Sequence, residues 1–243
     1  GAPTPAASGV VSVIPDAELV AIGSRSAEKA EKFGSEFKVA NRHASYRALA
    51  EDPQVDAIYV ATPHTRHKED TLLCLNAGKA VLCEKPFAIN AKEAQAMIAC
   101  ARRKKLFLME AMWTRCLPVI GEVRKWIAAG RIGEPRMLMA DFGFRAGFDP
   151  HSRLFDLQLG GGALLDVGIY PVSFAAMVFG GQPARITGMA EIGESGADEQ
   201  SAMILGYKGG QLAVLATAIR TTTPQVATIL GTDGHIVIPA FWH

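Results

Sequence analysis

No CxxC pair occurs in this chain of 243 residues, and its four cysteines, Cys74, Cys83, Cys100 and Cys116, are scattered through apolar segments. That spacing excludes a zinc ribbon and offers no disulfide framework, so reduced core thiols in a cytoplasmic protein are expected. Charge of one sign is equally lacking: 25 basic residues stand against 24 acidic ones. A nucleic-acid or acidic-membrane partner is therefore not expected. No apolar run has the length of a membrane span, and the opening residues lack the basic-then-apolar order of a signal peptide. Internal repeats and low-complexity tracts are missing too. What is present is apolar material: 49% of residues are hydrophobic, enough for a substantial core in one large domain or two modest ones.

The chain changes character near residue 115. Before it, short strands at 18–23, 56–61, 80–83 and 106–109 alternate with helical patterns. Ser26 caps a helix carrying Ala30, Phe33 and Phe37 on one face. A short helix starts at Tyr46, a longer one over 70–76 ends at Gly78, and Asn90 with Glu93 in capping-box register opens another. Such alternation predicts a parallel sheet covered on both faces. After it, Pro118 begins a helix stopped by Gly130. Longer alternating strands then follow at 136–144, 184–192, 200–207, 211–218 and 225–231, with a further one from Ile236. Turn-like links at 208–210 and 232–234 suit antiparallel pairing, interrupted by one helix over 163–179. The expected architecture is an α/β Rossmann-like half over 1–115 with its first strand missing, then an α+β domain over 116–243 with a mostly antiparallel open sheet.

Two stretches draw chemistry. Ala80-Val81-Leu82-Cys83 is a buried strand closed by Glu84-Lys85-Pro86, and proline cannot extend the ladder. Lys85 is thereby held just past the carboxyl end of a strand, where open α/β sheets bind ligands. Further on, Gly160-Gly161-Gly162 leads into a helix in which Asp166 and Tyr170 lie one turn apart on one face. Pro171 withholds a backbone hydrogen bond, so the helix should be strained near Val167. On spacing alone the plainer reading stands ahead: Tyr170 as an amphipathic core residue and Asp166 as a buried hydrogen-bond partner.

Glu84-Lys85-Pro86 followed by Asp166-Val167-Gly168-Ile169-Tyr170 after a glycine run resembles the glucose–fructose oxidoreductase / inositol dehydrogenase / MocA family. The stretches 80–87, 108–115 (LMEAMWTR) and 160–170 are most similar to its dimeric dihydrodiol dehydrogenase and NADP-dependent D-xylose dehydrogenase branch. The resemblance runs from about Ile14 to the end. It implies a nicotinamide cofactor on the first half, and a second half that walls the substrate site and forms a homodimer through its sheet. It implies that Lys85 lies between the nicotinamide ribose and the reacting oxygen, that Tyr170 is the general acid/base, and that Asp166 orients substrate and that pair. Oxidising an alcohol removes a proton as its C–H leaves as hydride. A free tyrosine, near pKa ~10, is a weak base at neutral pH unless a nearby ammonium favours the phenolate.

Other residues follow the same order of argument. Ser24-Arg25-Ser26 stands at a strand end where NAD-specific folds place an acid. With Lys29 downstream, this corner can take the 2′-phosphate of NADP, so NADP is expected over NAD. The alternative is a solvated helix start. Thr62-Pro63-His64 resembles the family turn beside the nicotinamide. His64 and His67 are also three apart, but no third ligand is near and zinc needs three. By the resemblance, Glu84, Trp113 and Arg115 flank cofactor and substrate; interdomain packing is the plainer reading for Trp113, and a surface position for Arg115.

Against the resemblance, no strand ending in G-x-G-x-x-G opens the chain. Gly1 has the spacing of that fingerprint's second glycine, and the chain stops soon after Ile238. A truncated product of a catalytic ancestor is expected. The main functional expectation is a hydride-transferring oxidoreductase acting on a sugar or cyclic diol. The alternatives are a non-catalytic dinucleotide- or sugar-sensing regulator, or an inactive fragment, on the same fold, and a scaffold working mainly through the open sheet.

Overall fold

The computed structural model describes residues 15–240 and 242–243. Gly1 and the proline-rich opening, on which the fingerprint reading rests, lie outside the described residues. The chain forms two units, Gly1–Ala111 and Met112–His243.

In the first unit the strands are short and their sheets parallel. β1 (Ala21–Gly23) pairs with β2 (Asn41–His43), while β3 (Ala57–Val60), β4 (Ala80–Cys83) and β5 (Leu108–Glu110) form a second sheet in that order. Among the described residues the two sheets share no ladder. The strand expected from Glu18 joins its ladder only at Ala21, and the one expected over 106–109 is shifted to Leu108–Glu110. β2 escaped sequence reading because Asn-Arg-His offers no apolar run. Helices α1 (Ala27–Glu36), α2 (Tyr46–Glu51), α3 (His67–Asn76) and α4 (Ala91–Lys104) supply the covering layers. Asn90 accepts the Glu93 N–H at 3.0 Å and so caps α4. Glu93 completes no capping box in return: its carboxylate meets Lys68 Nζ at 3.3 Å. Ile58, Val60, Leu75, Val81, Cys83 and Met97 make the core.

The second unit begins with a 3₁₀ turn, Trp113–Cys116, and α5 (Pro118–Ala128). Six strands follow: β6 (Pro135–Gly143), β7 (Arg185–Ile192), β8 (Asp198–Gly206), β9 (Leu212–Ala218), β10 (Ala227–Gly231) and β11 (His235–Ile238). Their order is β11-β10-β6-β9-β8-β7, antiparallel except where β6 meets β9. One face is covered by α5 and α6 (Ile169–Phe179), with Ile120, Leu138, Phe174, Leu215 and Trp242 in the core. The other is open, and edge strand β7 is exposed along its whole length.

α6 is entered through a π turn, Leu164–Gly168. Pro171 has no N–H for the Val167 carbonyl, and the expected strain is taken up by widening that turn. Against expectation, the stretch Leu157–Phe179 is apolar and long enough, by length and composition, to pass for a membrane span. Its Val167, Tyr170, Phe174 and Ala175 instead lie buried within the unit. The cysteines also need one correction: Cys74, Cys83 and Cys100 are buried thiols, but Cys116, at the end of the 3₁₀ turn, is exposed.

Candidate active site

In the first unit the expected residues gather at the carboxyl ends of neighbouring strands. β3 and β4 run parallel with Val60 opposite Cys83, so the turns Thr62-Pro63-His64 and Glu84-Lys85-Pro86 emerge side by side. Glu84 is fixed from several directions. Its N–H donates to the Val60 carbonyl at 2.9 Å, and its carboxylate accepts the Tyr59 hydroxyl and the Lys85 N–H. The Lys85–Pro86 peptide is cis. The Phe87 N–H then donates to Glu110 Oε1 at 2.9 Å, tying the turn to β5.

His67 links the two turns. It is fully buried, with Nδ1 2.7 Å from the Pro86 carbonyl and Nε2 2.9 Å from the Thr62 carbonyl. Both partners only accept, so the ring engages both only when both nitrogens carry protons. From sequence His67 drew attention only as half of an incomplete metal pair, because a backbone carbonyl leaves no trace in residue identity. His64 is buried, its ring edge-on to His67 at 5.7 Å. The Thr62 hydroxyl is buried and has no hydrogen-bond partner among the described residues.

Ser24, Arg25 and Lys29 stand elsewhere in this unit, at the end of β1 and the start of α1. The Ser24 hydroxyl accepts the Ser26 N–H at 3.2 Å, and the Ser26 hydroxyl accepts the Lys29 N–H at 3.3 Å as the helix cap. Arg25 and Lys29 are exposed, and residues 22–26 contain no carboxylate. Burial sets the thiols near the sheet: those of Cys74 and Cys83 are pushed up to about 12, chiefly by desolvation, which makes them inert.

In the second unit Asp166, in the π turn, and Tyr170, in α6, are both buried, at 3% and 6% exposure. The Tyr170 oxygen accepts the Trp113 indole N–H at 2.9 Å. Phe142 stands edge-on to the phenol at 5.2 Å, and His243 lies stacked on Phe142 at 3.5 Å. Arg115 donates from Nε and Nη2 to the hydroxyl and carbonyl of Ser173, both at 3.1 Å. Asp166 pairs with Arg153. Arg153 and His243 were not singled out from sequence, since their partners lie 13 residues away or more and no motif joins them.

The glycine run positions this helix. Gly162 has φ +125°, and a Cβ there would sit 2.1 Å from Asp198 Oδ1. The other oxygen of Asp198 accepts the Leu164 N–H at 2.7 Å, so a residue from β8 caps the π turn. Burial holds the Asp198 carboxyl above the usual carboxylate range.

Comparison with known proteins gives the family. Residues 6–112 match the model described as an oxidoreductase family with an NAD-binding Rossmann fold, and residues 120–237 match the GFO/IDH/MocA C-terminal domain. Trans-1,2-dihydrobenzene-1,2-diol dehydrogenase from Xenopus tropicalis is 43% identical over 226 residues, covering 93% of this chain and 68% of that protein. The protein of the same name from Mus musculus is 41% identical over 236 residues, 96% and 70% of the two chains. Among solved structures, an aldose-aldose oxidoreductase from Caulobacter crescentus complexed with glycerol superposes with a TM-score of 0.85 at 27% identity, covering 92% and 69%. A 3-ketoreductase from Actinomadura kijaniata, in complex with TDP-benzene and NADP, gives 0.82 at 28%, covering 96% and 71%. The chain belongs to the GFO/IDH/MocA oxidoreductase family.

Proposed function

We propose that this chain is a cytoplasmic NADP-dependent dehydrogenase that oxidises a CH–OH group of a cyclic diol or sugar, with Tyr170 as its acid–base group. The observation that carries the reading is Tyr170 itself: a buried phenol, one turn from Asp166, in a chain 43% identical to a dihydrodiol dehydrogenase. When bound, the nicotinamide accepts or returns the hydride. The chain's residues do the rest. Tyr170 takes the alcohol proton at its phenol oxygen, Asp166 orients a substrate hydroxyl, and Lys85 supplies a fixed ammonium that favours the deprotonated oxygen.

The residues present fit a dinucleotide. Thr62 offers an unspent buried hydroxyl beside the Lys85 turn, with Pro63, His64 and Glu84 shaping the rim. Arg25 and Lys29, with Ser24, are suited to the 2′-phosphate, and the strand end at 22–26 carries no acid of its own. Trp113 and Arg115 belong to the reading as wall residues. A second copy is the proposed cover for the open sheet. Val237, Thr228, Met139, Val214 and Ile204 stand opposite one another in a single row across five strands, and four of them are exposed apolar residues.

Tyr170→Phe decides the chemistry. Turnover of trans-1,2-dihydrobenzene-1,2-diol with NADP should fall about 100-fold or more while the fold persists; unchanged turnover would sink the assignment. Fluorescence titration should show saturable NADPH binding that NADH does not match, and equal binding of the two would remove the role of Arg25 and Lys29. Ile204→Lys should convert a sedimenting dimer to monomer, and a dimer that survives lies elsewhere.

A further inference from the structure

Trp113 is 49% exposed, so its indole N–H could have been left to water. Instead it donates to the oxygen of Tyr170 at 2.9 Å, with the two rings edge-on at 81°. The contact is built rather than incidental. The 3₁₀ turn that carries Trp113 is also pinned by Arg115, which spends Nε and Nη2 on Ser173, three residues beyond Tyr170 on the same helix. Residues 113 and 115 thus grip residues 170 and 173 at two points.

Indole is a donor only and does not titrate in the working range of an enzyme. A hydrogen bond from a neutral N–H to an ionised oxygen is roughly twice as strong as one to the neutral group. The bond therefore favours the phenolate over the phenol. We propose that Trp113 is a second catalytic residue, whose indole N–H stabilises the phenolate of Tyr170 and so makes it a competent base. This rests on the reading of Tyr170 as the acid–base group.

The other groups of this unit that face the phenol do not supply the same effect. Asp166, one turn earlier, opposes a negative oxygen, and Arg153 is engaged in offsetting Asp166. His243 lies with its ring 5.7 Å from that of Tyr170, and its Nε2 is 3.0 Å from Gln225 Oε1. The Gln225 amide is oriented by its own donation to the Gly143 carbonyl at 2.9 Å, so its oxygen faces His243 and accepts the hydrogen bond from that ring's Nε2. Phe142 is apolar. The indole is thus a donor aimed at the reacting atom itself. By accepting there, the phenol oxygen also turns its own hydrogen away from Trp113.

The test uses the full chain labelled with ¹³Cζ-tyrosine. Its four tyrosines give four signals, and Tyr170→Phe identifies the one in question. In Trp113→Phe the titration midpoint of Tyr170 should rise by about one pH unit, with the other three unmoved. Turnover should fall about tenfold at neutral pH and recover as pH rises, which lost packing alone would not produce. An unmoved midpoint in folded Trp113→Phe overturns the proposal. Should that variant not fold, the wild-type indole N–H signal serves: it should shift as Tyr170 titrates and move in Tyr170→Phe, and an indole signal indifferent to both overturns the proposal. If Tyr170→Phe keeps its turnover, the acid–base reading falls and takes this role with it. If Tyr170→Phe is dead and the midpoint is unmoved, only the role of Trp113 falls.

Discussion

The turn after β4 and the helix after Gly162 hold their polar side chains by opposite means. Around Lys85 the partners are backbone carbonyls and carboxylates at the tips of short parallel strands: His67 on the Pro86 and Thr62 carbonyls, Tyr59 and Lys85 on Glu84, Phe87 on Glu110. Around Tyr170 they are rings drawn from distant parts of the chain, Trp113, Phe142 and His243. The first arrangement is stiff because each strand tip has its geometry set by the ladder behind it. The second depends on long-range packing, since Trp113 and His243 reach the phenol from outside its own helix.

The contrast can be broken where it is strongest. His67→Ala should lower stability by about 3 kcal/mol in denaturant unfolding, since it leaves a cavity and strips two buried carbonyls of their donor. A loss below about 1 kcal/mol would mean the strand tips hold themselves. In the second unit Gly162→Ala should cost about 2 kcal/mol, combining a disfavoured φ with a clash at Asp198, and Asp198→Ala about 1 kcal/mol through the lost cap. Asp198→Asn keeps an acceptor for Leu164 and isolates the charge. Because burial raises this carboxyl, the folded protein takes up its proton at higher pH than the unfolded chain does. The group's contribution to stability therefore grows as pH falls from above its folded value towards about 3.9, and Asp198→Asn should flatten that rise in pH-dependent melting. A rise that persists in Asp198→Asn belongs to another group.

The smallest effects sharpen the comparison at the surface. Met189, 85% exposed on β7, should tolerate alanine within about 0.5 kcal/mol in a monomeric protein. A thiol reagent at mildly alkaline pH should label Cys116 rapidly and Cys74, Cys83 and Cys100 only on unfolding. Labelling of a buried thiol in the native state would show that the first unit opens locally.

Much of this was legible in the residues because the signals are local. A proline after a four-residue apolar strand places Lys85, and the apolar run around Asp166 and Tyr170 marks a buried helix. Asn90 announces its helix, and Pro118 and Gly130 bracket another. Alternation over eight or nine residues marks the strands of the open sheet, because side chains on a strand must point to opposite faces. The widened turn before Pro171 also follows from a missing N–H.

Tertiary structure alone decided the rest. Strand β2 is polar and exists through its ladder with β1. Both ring nitrogens of His67 meet carbonyls, which every residue possesses, so no residue type forecasts them. Asp198 caps a turn 34 residues earlier, and Trp113 reaches Tyr170 across 57 residues. Periodicity assigns a side chain to a face. Only the folding of distant segments onto that face determines which atom it meets, because hydrogen bonds act over about 3 Å and sequence separation carries no record of that distance.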